Sequence, residues 1–288
     1  MEQAMTQAAS AGRPWPLTVR LCTAWLALVL LAAIAAPWIA PHGYVEQFPL
    51  NRLLPPSFVE GGEAAFLLGT DHVGRCVASR TLYAIRFSLL VALGGTAIGA
   101  VLGTALGLLA GQLRGRVDEA VMATVDVFAS IPFIIFALSV VAFAGADFLV
   151  FLIVVGLAGW ERYARLARAL VLDANTRGYA EAARNLGVPG HVIVARHLAP
   201  NIAGPLLVQV TINFPDTILL ETGLSFLGLG VQPPLTSLGL MVSEAKDYLA
   251  LTIWPTVPPA IAIVLTTLAV SLLGDHLRDR TDAALRQG

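Results

Sequence analysis

The chain has 288 residues, of which 57% are hydrophobic and only 13% are charged, and its formal net charge is −1. Soluble domains carry about 25% charged residues, so this composition excludes an ordinary soluble protein and indicates one that is embedded in a membrane. The near-neutral charge, together with the lack of a basic run with interleaved aromatic residues, argues against a nucleic-acid partner.

Six apolar segments are long enough, or nearly long enough, to cross a lipid bilayer. A hydrocarbon core about 30 Å thick requires about 20 helical residues, because each residue adds about 1.5 Å. The predicted spans are Leu21–Ile39, Phe87–Ala110, Ala120–Ala144, Phe148–Trp160, Ile202–Leu224 and Trp254–Leu273. The sequence therefore predicts an all-α, polytopic integral membrane protein with one N-terminal helix and a five-helix core.

The first apolar run is longer than the 7–15 residues, roughly, of a signal-peptide core, which favours an uncleaved anchor. Basic residues are retained on the cytoplasmic side of membranes, and most of the 18 fall there if both termini are cytoplasmic. We therefore divide the chain into an N-terminal region with the first span and an external segment, a core, and a cytoplasmic tail. Their bounds are 1–86, 87–275 with a cytoplasmic loop at 161–201, and 276–288.

The external segment, residues 41–86, is predicted to include a solvated surface helix, because Val77, Thr81 and Ala84 share one helical face. Three arginines would then be available to lipid headgroups or to an external protein: Arg75, Arg80 and Arg86. Cys76 lies in this segment, whereas Cys22 begins the first span near the opposite side of the membrane. A disulfide bond between them is not expected.

The second span carries a glycine at every fourth position: Gly95, Gly99, Gly103, Gly107 and Gly111. Such a row lies along one helical face, where the missing side chains let a second helix approach closely in lipid. Close helix packing is therefore predicted. The spacing leaves open whether the partner helix belongs to this chain.

Carboxylates interrupt the third and fifth spans: Asp126, Asp216 and Glu221. A charged group at the bilayer centre costs about 2.5 to 3.5 kcal/mol on insertion scales. They could line a polar pathway, or each could lie near a helix end or a kink. We favour the second interpretation for Asp126 and Asp216 and leave Glu221 undecided.

The stretch Gly178–Gly190 is unusually polar for so apolar a chain. Tyr179, Ala183 and Leu186 share one helical face, and Gly187 followed by Pro189 is typical of a helix end. Its alanines are too small to hold a core together or to anchor a helix in lipid. The stretch therefore predicts a short helix that a second protein grips.

These residues resemble the signature of membrane permease subunits of binding-protein-dependent ABC importers, which reads EAA, three residues, then Gly. Here it is Glu181-Ala182-Ala183 followed by Gly187. Of the Ile-x-Leu-Pro that closes the family's loop, only Pro200 is present in the window from His197, so the end of the loop could be angled differently.

Three further motifs look like the dipeptide, oligopeptide and nickel branch, in particular its second, DppC- and OppC-like permease. They are LGTDHVGR at Leu68–Arg75, GLSFLGLGVQPP at Gly223–Pro234 and LLGDHLRDRTD at Leu272–Asp282. Two positions depart from the branch: Cys76 replaces an aspartate, and Leu238 replaces a tryptophan.

The resemblance implies a multi-pass subunit of the bacterial inner membrane that forms half of a translocation pathway. Its partners would be a second homologous permease, two cytoplasmic ATPase subunits or domains, and an external substrate-binding protein. Peptide is the expected cargo, with nickel or another small solute as the alternative. The ATPase contact would comprise Tyr179, Ala180, Glu181, Ala182, Ala183, Leu186 and Gly187.

The energy source is expected to be another chain, because a phosphate-binding P-loop requires Gly-Lys-Ser/Thr and the only lysine, Lys246, follows Ala245. We therefore expect no enzymatic activity and no cofactor in this chain, with ATP and Mg bound by partner subunits.

Two other classes of membrane protein are alternatives to an importer permease. A proton-coupled secondary transporter would use the membrane carboxylates as a relay, but the halves show no clear repeat. An intramembrane hydrolase is disfavoured by the scattered histidines, which are His42, His72, His191, His197 and His276.

Overall fold

The architecture was obtained as a computed structural model, which describes residues 15–145, 147–176, 192, 196 and 199–285. Within these residues the regular elements are helical and no β-strand is formed. In chain order the α-helices are α1 (Leu17–Ile39), α2 (Val77–Leu113), α3 (Gly115–Ser130), α4 (Phe133–Ala144), α5 (Phe148–Gly156), α6 (Trp160–Thr176), α7 (Ala199–Phe226), α8 (Leu238–Ala245) and α9 (Val257–Leu285). A 3₁₀ helix, Lys246–Tyr248, follows α8.

Four of the described helices, α1, α2, α7 and α9, are long and apolar enough to cross a membrane. The pair α3 and α4, bent by 91°, passes the same test together, which makes up to five spans when the pair is counted as one crossing. The predicted fold class, an all-α polytopic membrane protein, is confirmed. The predicted count of about six spans is not reached within the described residues, which give four or five, because the third predicted span is bent and the fourth contains only the short helix α5.

The third predicted span, Ala120–Ala144, breaks at Ile131, which has extended backbone angles of φ −88° and ψ 126°. Pro132 favours this break, because a proline ring disfavours the helical conformation of the preceding residue, whereas Pro205 and Pro215 are accommodated inside α7. The amide nitrogen of Pro132 carries no hydrogen to donate to the preceding turn. The chain therefore leaves α3, turns, and restarts as α4 at Phe133.

The fourth predicted span, Phe148–Trp160, covers only α5 and the turn that follows it. Gly159 has a left-handed φ of +79°, and the chain resumes at Trp160 as the 17-residue helix α6. Much of α6 lies where the sequence predicted the beginning of a cytoplasmic loop. The charged residues of α6 made it look like a loop in the sequence, although it follows the apolar α5 after a short turn.

The glycine row of α2 faces α5 and α6, so its partner helices belong to this chain. A Cβ atom added at Gly95 would lie 2.7 Å from Val155 Cγ1. The same addition would lie 2.7 Å from Tyr163 Cβ at Gly103, and 2.8 Å from Ala167 Cβ at Gly107. Real side chains do not approach so closely, so only glycine permits this helix separation.

The external segment lacks the predicted surface helix, since residues 40–76 form turns and one isolated bridge. Val77, Thr81 and Ala84 instead belong to the first turns of α2 and are buried. Val77 and Ala84 pack in a cluster to which α1, α8 and α9 also contribute. The apolar face identified in the sequence therefore starts a membrane helix ten residues before the predicted span.

We predict that Gly107→Ala destabilises the protein by about 1 to 3 kcal/mol, the usual cost of overpacking. The added methyl group would meet Ala164 and Ala167 of α6, and a backbone atom of Ala164 cannot rotate away. Thermal unfolding of the detergent-purified protein measures the effect. Gly204→Ala in α7 is the matched control, because no atom lies within 4 Å of the added carbon. Equal melting temperatures for the two variants would contradict the predicted packing.

Candidate functional site

A buried ionic cluster joins the external segment to α2 and α8. Asp71 Oδ2 accepts hydrogen bonds from Arg75 Nε at 2.6 Å and from Arg80 Nη1 at 2.7 Å. Glu244 Oε2 of α8 lies 2.8 Å from Arg75 Nη2 and 2.7 Å from Arg80 Nη1. Contrary to the sequence prediction, Arg75 and Arg80 are not available to headgroups, whereas Arg86 is exposed.

The motif at Leu68–Arg75 builds the turn that aims the Asp71 carboxylate. Gly69 and Gly74 both have left-handed φ angles, +78° and +86°, which favour glycine. Asp71 Oδ1 accepts the backbone N–H groups of Val73 at 3.0 Å and Arg75 at 2.9 Å. Burial of Asp71 opposes ionisation, but the charges of Arg80 and Arg75 and these hydrogen bonds outweigh it and hold the pKa of Asp71 below its ordinary value of 3.8.

Cys76, which departs from the branch's usual aspartate, ends this turn and precedes α2. It is fully buried and packs with Phe66 and Ala78. Cys22 is also buried, and both thiols are free. Cys76 therefore acts as a small apolar side chain at the base of the external segment.

Glu221 is a second polar node, fully buried near the C-terminal end of α7. Its carboxylate accepts hydrogen bonds from Ser88 Oγ of α2 at 3.1 Å and from Ser225 Oγ at 2.9 Å. Ser88 Oγ in turn accepts the backbone N–H of Leu238 at the start of α8. Glu221 thus holds three helices together, and it lies away from the open cavity described below.

Three arginines at i, i+3 and i+6 on α6 pair with acids on neighbouring helices. Arg162 Nη1 lies 2.7 Å from Asp216 Oδ2 of α7, and Arg165 Nη2 lies 3.0 Å from Asp126 Oδ1 of α3. Arg168 binds Asp118 of α3 through two nitrogens. Asp126 and Asp216 are therefore not bare charges in the membrane. The sequence analysis did not find these partners, although the spacing of the arginines on one face is the signal that could have revealed them.

An open cavity of about 650 Å³ lies at the break between α3 and α4. Its polar lining comes from α6 and α7, and its apolar lining from the α3–α4 break and from α7. The polar residues are Glu161, Arg162, Asn213, Asp216 and Thr217; Phe128, Ile131, Pro132, Phe133 and Leu220 are among the apolar ones. Asp216 therefore lies at this cavity, Asp126 lies outside it, and Glu221 is enclosed elsewhere.

The predicted ATPase contact lies outside the described residues, as do His197 and Leu198 at the end of the loop. The affected positions are Tyr179, Ala180, Glu181, Ala182, Ala183, Leu186 and Gly187. The described part of the chain brings together no group of three His, Cys, Asp or Glu side chains that could hold a metal ion.

Two known protein families match parts of this chain. Residues 103–287 match the family described as "Binding-protein-dependent transport system inner membrane component". Residues 20–56 match the "N-terminal TM domain of oligopeptide transport permease C". The two matches cover the core and the first helix respectively.

Similar curated proteins are named as peptide permeases. The chain is 40% identical to the dipeptide transport system permease protein DppC of Escherichia coli strain K12, over 91% of this chain and 88% of the relative. It is 38% identical to the di/tripeptide transport system permease protein DppC of Pseudomonas aeruginosa strain UCBPP-PA14, over 91% and 86%. A solved structure of the MetNI methionine ABC transporter, in an inward-facing conformation, superposes with a TM-score of 0.58. That superposition has 20% identity and covers 69% of this chain and 95% of the other; it supports the fold.

We predict that Asp71→Asn lowers stability at neutral pH by about 3 to 5 kcal/mol, the cost of leaving a buried charge unpaired. Since the pKa of Asp71 is lower in the folded state, its contribution is present above the ordinary value of 3.8 and is lost as the pH falls through the folded-state pKa. The difference in melting temperature between wild type and variant should therefore narrow on acidification below about pH 4.

Scanning fluorimetry of the detergent-purified proteins from neutral to acidic pH measures this difference. Glu60→Gln, which alters an exposed carboxylate in the same segment, is the control and should unfold like wild type. A difference in melting temperature between wild type and Asp71→Asn that is zero at neutral pH, or that widens on acidification, would refute the role of the cluster.

Proposed function

The chain belongs to the binding-protein-dependent transport system inner membrane components and is the permease subunit of such an ABC importer, and on that premise we propose that its cargo is short peptides. Two observations support the cargo. The similar curated permeases are named for dipeptides and di/tripeptides. The cavity beside Arg162 and Asp216 combines apolar walls with both signs of charge, which suits molecules that carry the same combination.

The assembled importer would contain a second permease, two ATPase subunits or domains on the cytoplasmic side, and an external binding protein. We place both termini and the segment Tyr179–Gly187 in the cytoplasm, because most basic residues of the chain then lie inside. Lys246, the only lysine, starts the 3₁₀ helix, where its Nζ lies 5.0 Å from the centre of the Phe226 ring. Since a phosphate-binding P-loop requires Gly-Lys-Ser/Thr and Lys246 follows Ala245, ATP and Mg would be held by the partner subunits.

The observation that carries the coupling mechanism is the packing of α6 along the glycine row of α2. α6 begins at the cavity and ends at Thr176, two residues before Gly178 opens the predicted docking stretch. Val171 and Ala174, near its end, are buried, and Val171 Cβ would lie 2.8 Å from a Cβ at Gly111. Because α6 cannot slide freely against α2, a displacement of the docking stretch would move both helices together and reach the cavity.

The experiment uses the complete importer, purified with its neighbouring subunits and reconstituted with its external binding protein. A dipeptide should stimulate ATP hydrolysis and be taken up. Ala183→Trp should abolish uptake, because a bulky side chain would disrupt the face of small side chains proposed to contact the ATPase. Glu181→Lys, which reverses a charge in the same stretch, should abolish it too. Ala183→Ser, which keeps the side chain small, should transport like wild type.

The amount of assembled, monodisperse permease in the membrane controls for folding. Normal uptake by Ala183→Trp would exclude the docking assignment. Stimulation by nickel or another solute, with no response to dipeptides, would exclude peptide cargo while leaving the assembly intact.

A further inference from the structure

We propose that the cavity at the α3–α4 break is a transit site for a zwitterionic short peptide, with Arg162 binding the terminal carboxylate and Asp216 and Glu161 binding the terminal ammonium. The proposal rests on the peptide-importer function above and specifies which groups of this chain meet the cargo on its way through the membrane.

The cavity has the size and lining of a small-molecule site. Its volume of about 650 Å³ falls within the range of roughly 300 to 1,000 Å³ that ligand pockets occupy. Phe133 and Leu220 add apolar lining for peptide side chains to the charged groups of α6 and α7. Since the cavity is open, a peptide can enter without local unfolding.

The ion pair between Arg162 and Asp216 at the cavity can open at little cost, so that each side chain can bind another partner. The side chains of Arg162 and Asp216 are 52% and 59% exposed, although their nitrogen and oxygen atoms lie only 2.7 Å apart. Exposed pairs of this kind are worth about 0 to 1 kcal/mol, so opening one costs little. A guanidinium binds a carboxylate through two parallel hydrogen bonds, and Arg162 can do this with the carboxylate of a peptide in place of Asp216.

Glu161 provides an oxygen that lacks a donor. Its Oε2 is buried and has no hydrogen-bond partner in the described part of the protein, and its Oε1 is 4.0 Å from Arg162 Nε. Buried polar atoms are normally hydrogen-bonded. A peptide ammonium carries three N–H donors and would satisfy both this oxygen and Asp216 once Arg162 has turned to the carboxylate.

The ion pair between Arg165 and Asp126 supplies a matched control. It joins the same helix α6 to α3 at 3.0 Å with similar exposure, 48% and 71%, but lies outside the cavity lining. A general role of exposed ion pairs in stability or helix contact would make the two pairs equivalent. Only the proposed binding role distinguishes them.

The test measures binding directly, without the external protein. Ala129→Cys places a thiol at the exposed cavity wall, while the native thiols of Cys22 and Cys76 are buried. In the purified importer, the dipeptide Ala-Phe should slow modification of the introduced thiol by a charged maleimide. N-acetyl-Ala-Phe-amide, which lacks both terminal charges, should protect at least about tenfold more weakly, as expected from losing charged hydrogen bonds.

Adding Arg162→Gln with Asp216→Asn should raise the concentration of Ala-Phe needed for protection by about tenfold or more. Adding Arg165→Gln with Asp126→Asn should leave it unchanged, and melting temperatures verify that both variants are folded. Equal protection by the capped and uncapped peptides, or equal effects of the two double variants, would overturn the site. An importer that transports dipeptides without any such protection would refute this inference alone, whereas one that ignores dipeptides throughout would refute the proposed cargo.

Discussion

The approach of α6 to α2 is the constraint on which the rest of the structure depends. Five glycines remove the side chains from one face of α2; α5 and its following turn occupy the space at Gly95 and Gly99, and α6 occupies the space at the other three. In lipid, where burial from water does not drive helix association, such close packing maximises dispersion and backbone contacts. It fixes one end of α6 at the cavity and directs the other toward the predicted docking stretch. The mechanical link between those regions therefore needs no further element.

The charges of the protein fall into two kinds of environment with different consequences. Arg80 and Asp71 are buried in a cluster that closes the external segment onto α8, and removing one member leaves an uncompensated charge. Two of the pairs along α6, Arg162–Asp216 and Arg165–Asp126, have side chains that remain about half exposed or more, so opening them costs little. Stability depends on the first kind, whereas the proposed contact with a passing solute involves only the exposed pair at the cavity, Arg162 and Asp216. The three carboxylates noted in the sequence lie in different environments. Asp126 forms an exposed ion pair, Asp216 lines the cavity, and Glu221 is enclosed among hydrogen-bonding hydroxyls. Arginines pair with Asp126 and Asp216, and serine hydroxyls donate hydrogen bonds to Glu221.

Sequence reasoning succeeded where the signal is local. Hydropathy is summed over consecutive residues, so the class and most spans were predictable, and so was the close-packing face of the glycine row. It failed where distant residues decide the outcome. Arg75 and Arg80 looked free because their acidic partners include Glu244, far along the chain. α6 looked like a loop because Arg162, Arg165 and Arg168 are neutralised by acids of other helices. The bend at Pro132 has a local signal, since proline disfavours a helical residue before it, but the apolar residues on both sides of Pro132 read as one continuous span.

The distance between α2 and α6 during turnover tests the central claim most directly. Spin labels at Leu113→Cys and Thr176→Cys, both exposed helix ends, report this distance in the assembled importer by pulsed electron resonance. A second label pair, from Thr176→Cys to the corresponding position of the partner permease, verifies that the importer has changed state. If the two helices move as one body, the first distance is the same in the nucleotide-free and ATP-trapped states while the second changes. A first distance that shifts or broadens along with the second would show that α6 moves independently of α2 and would contradict the account.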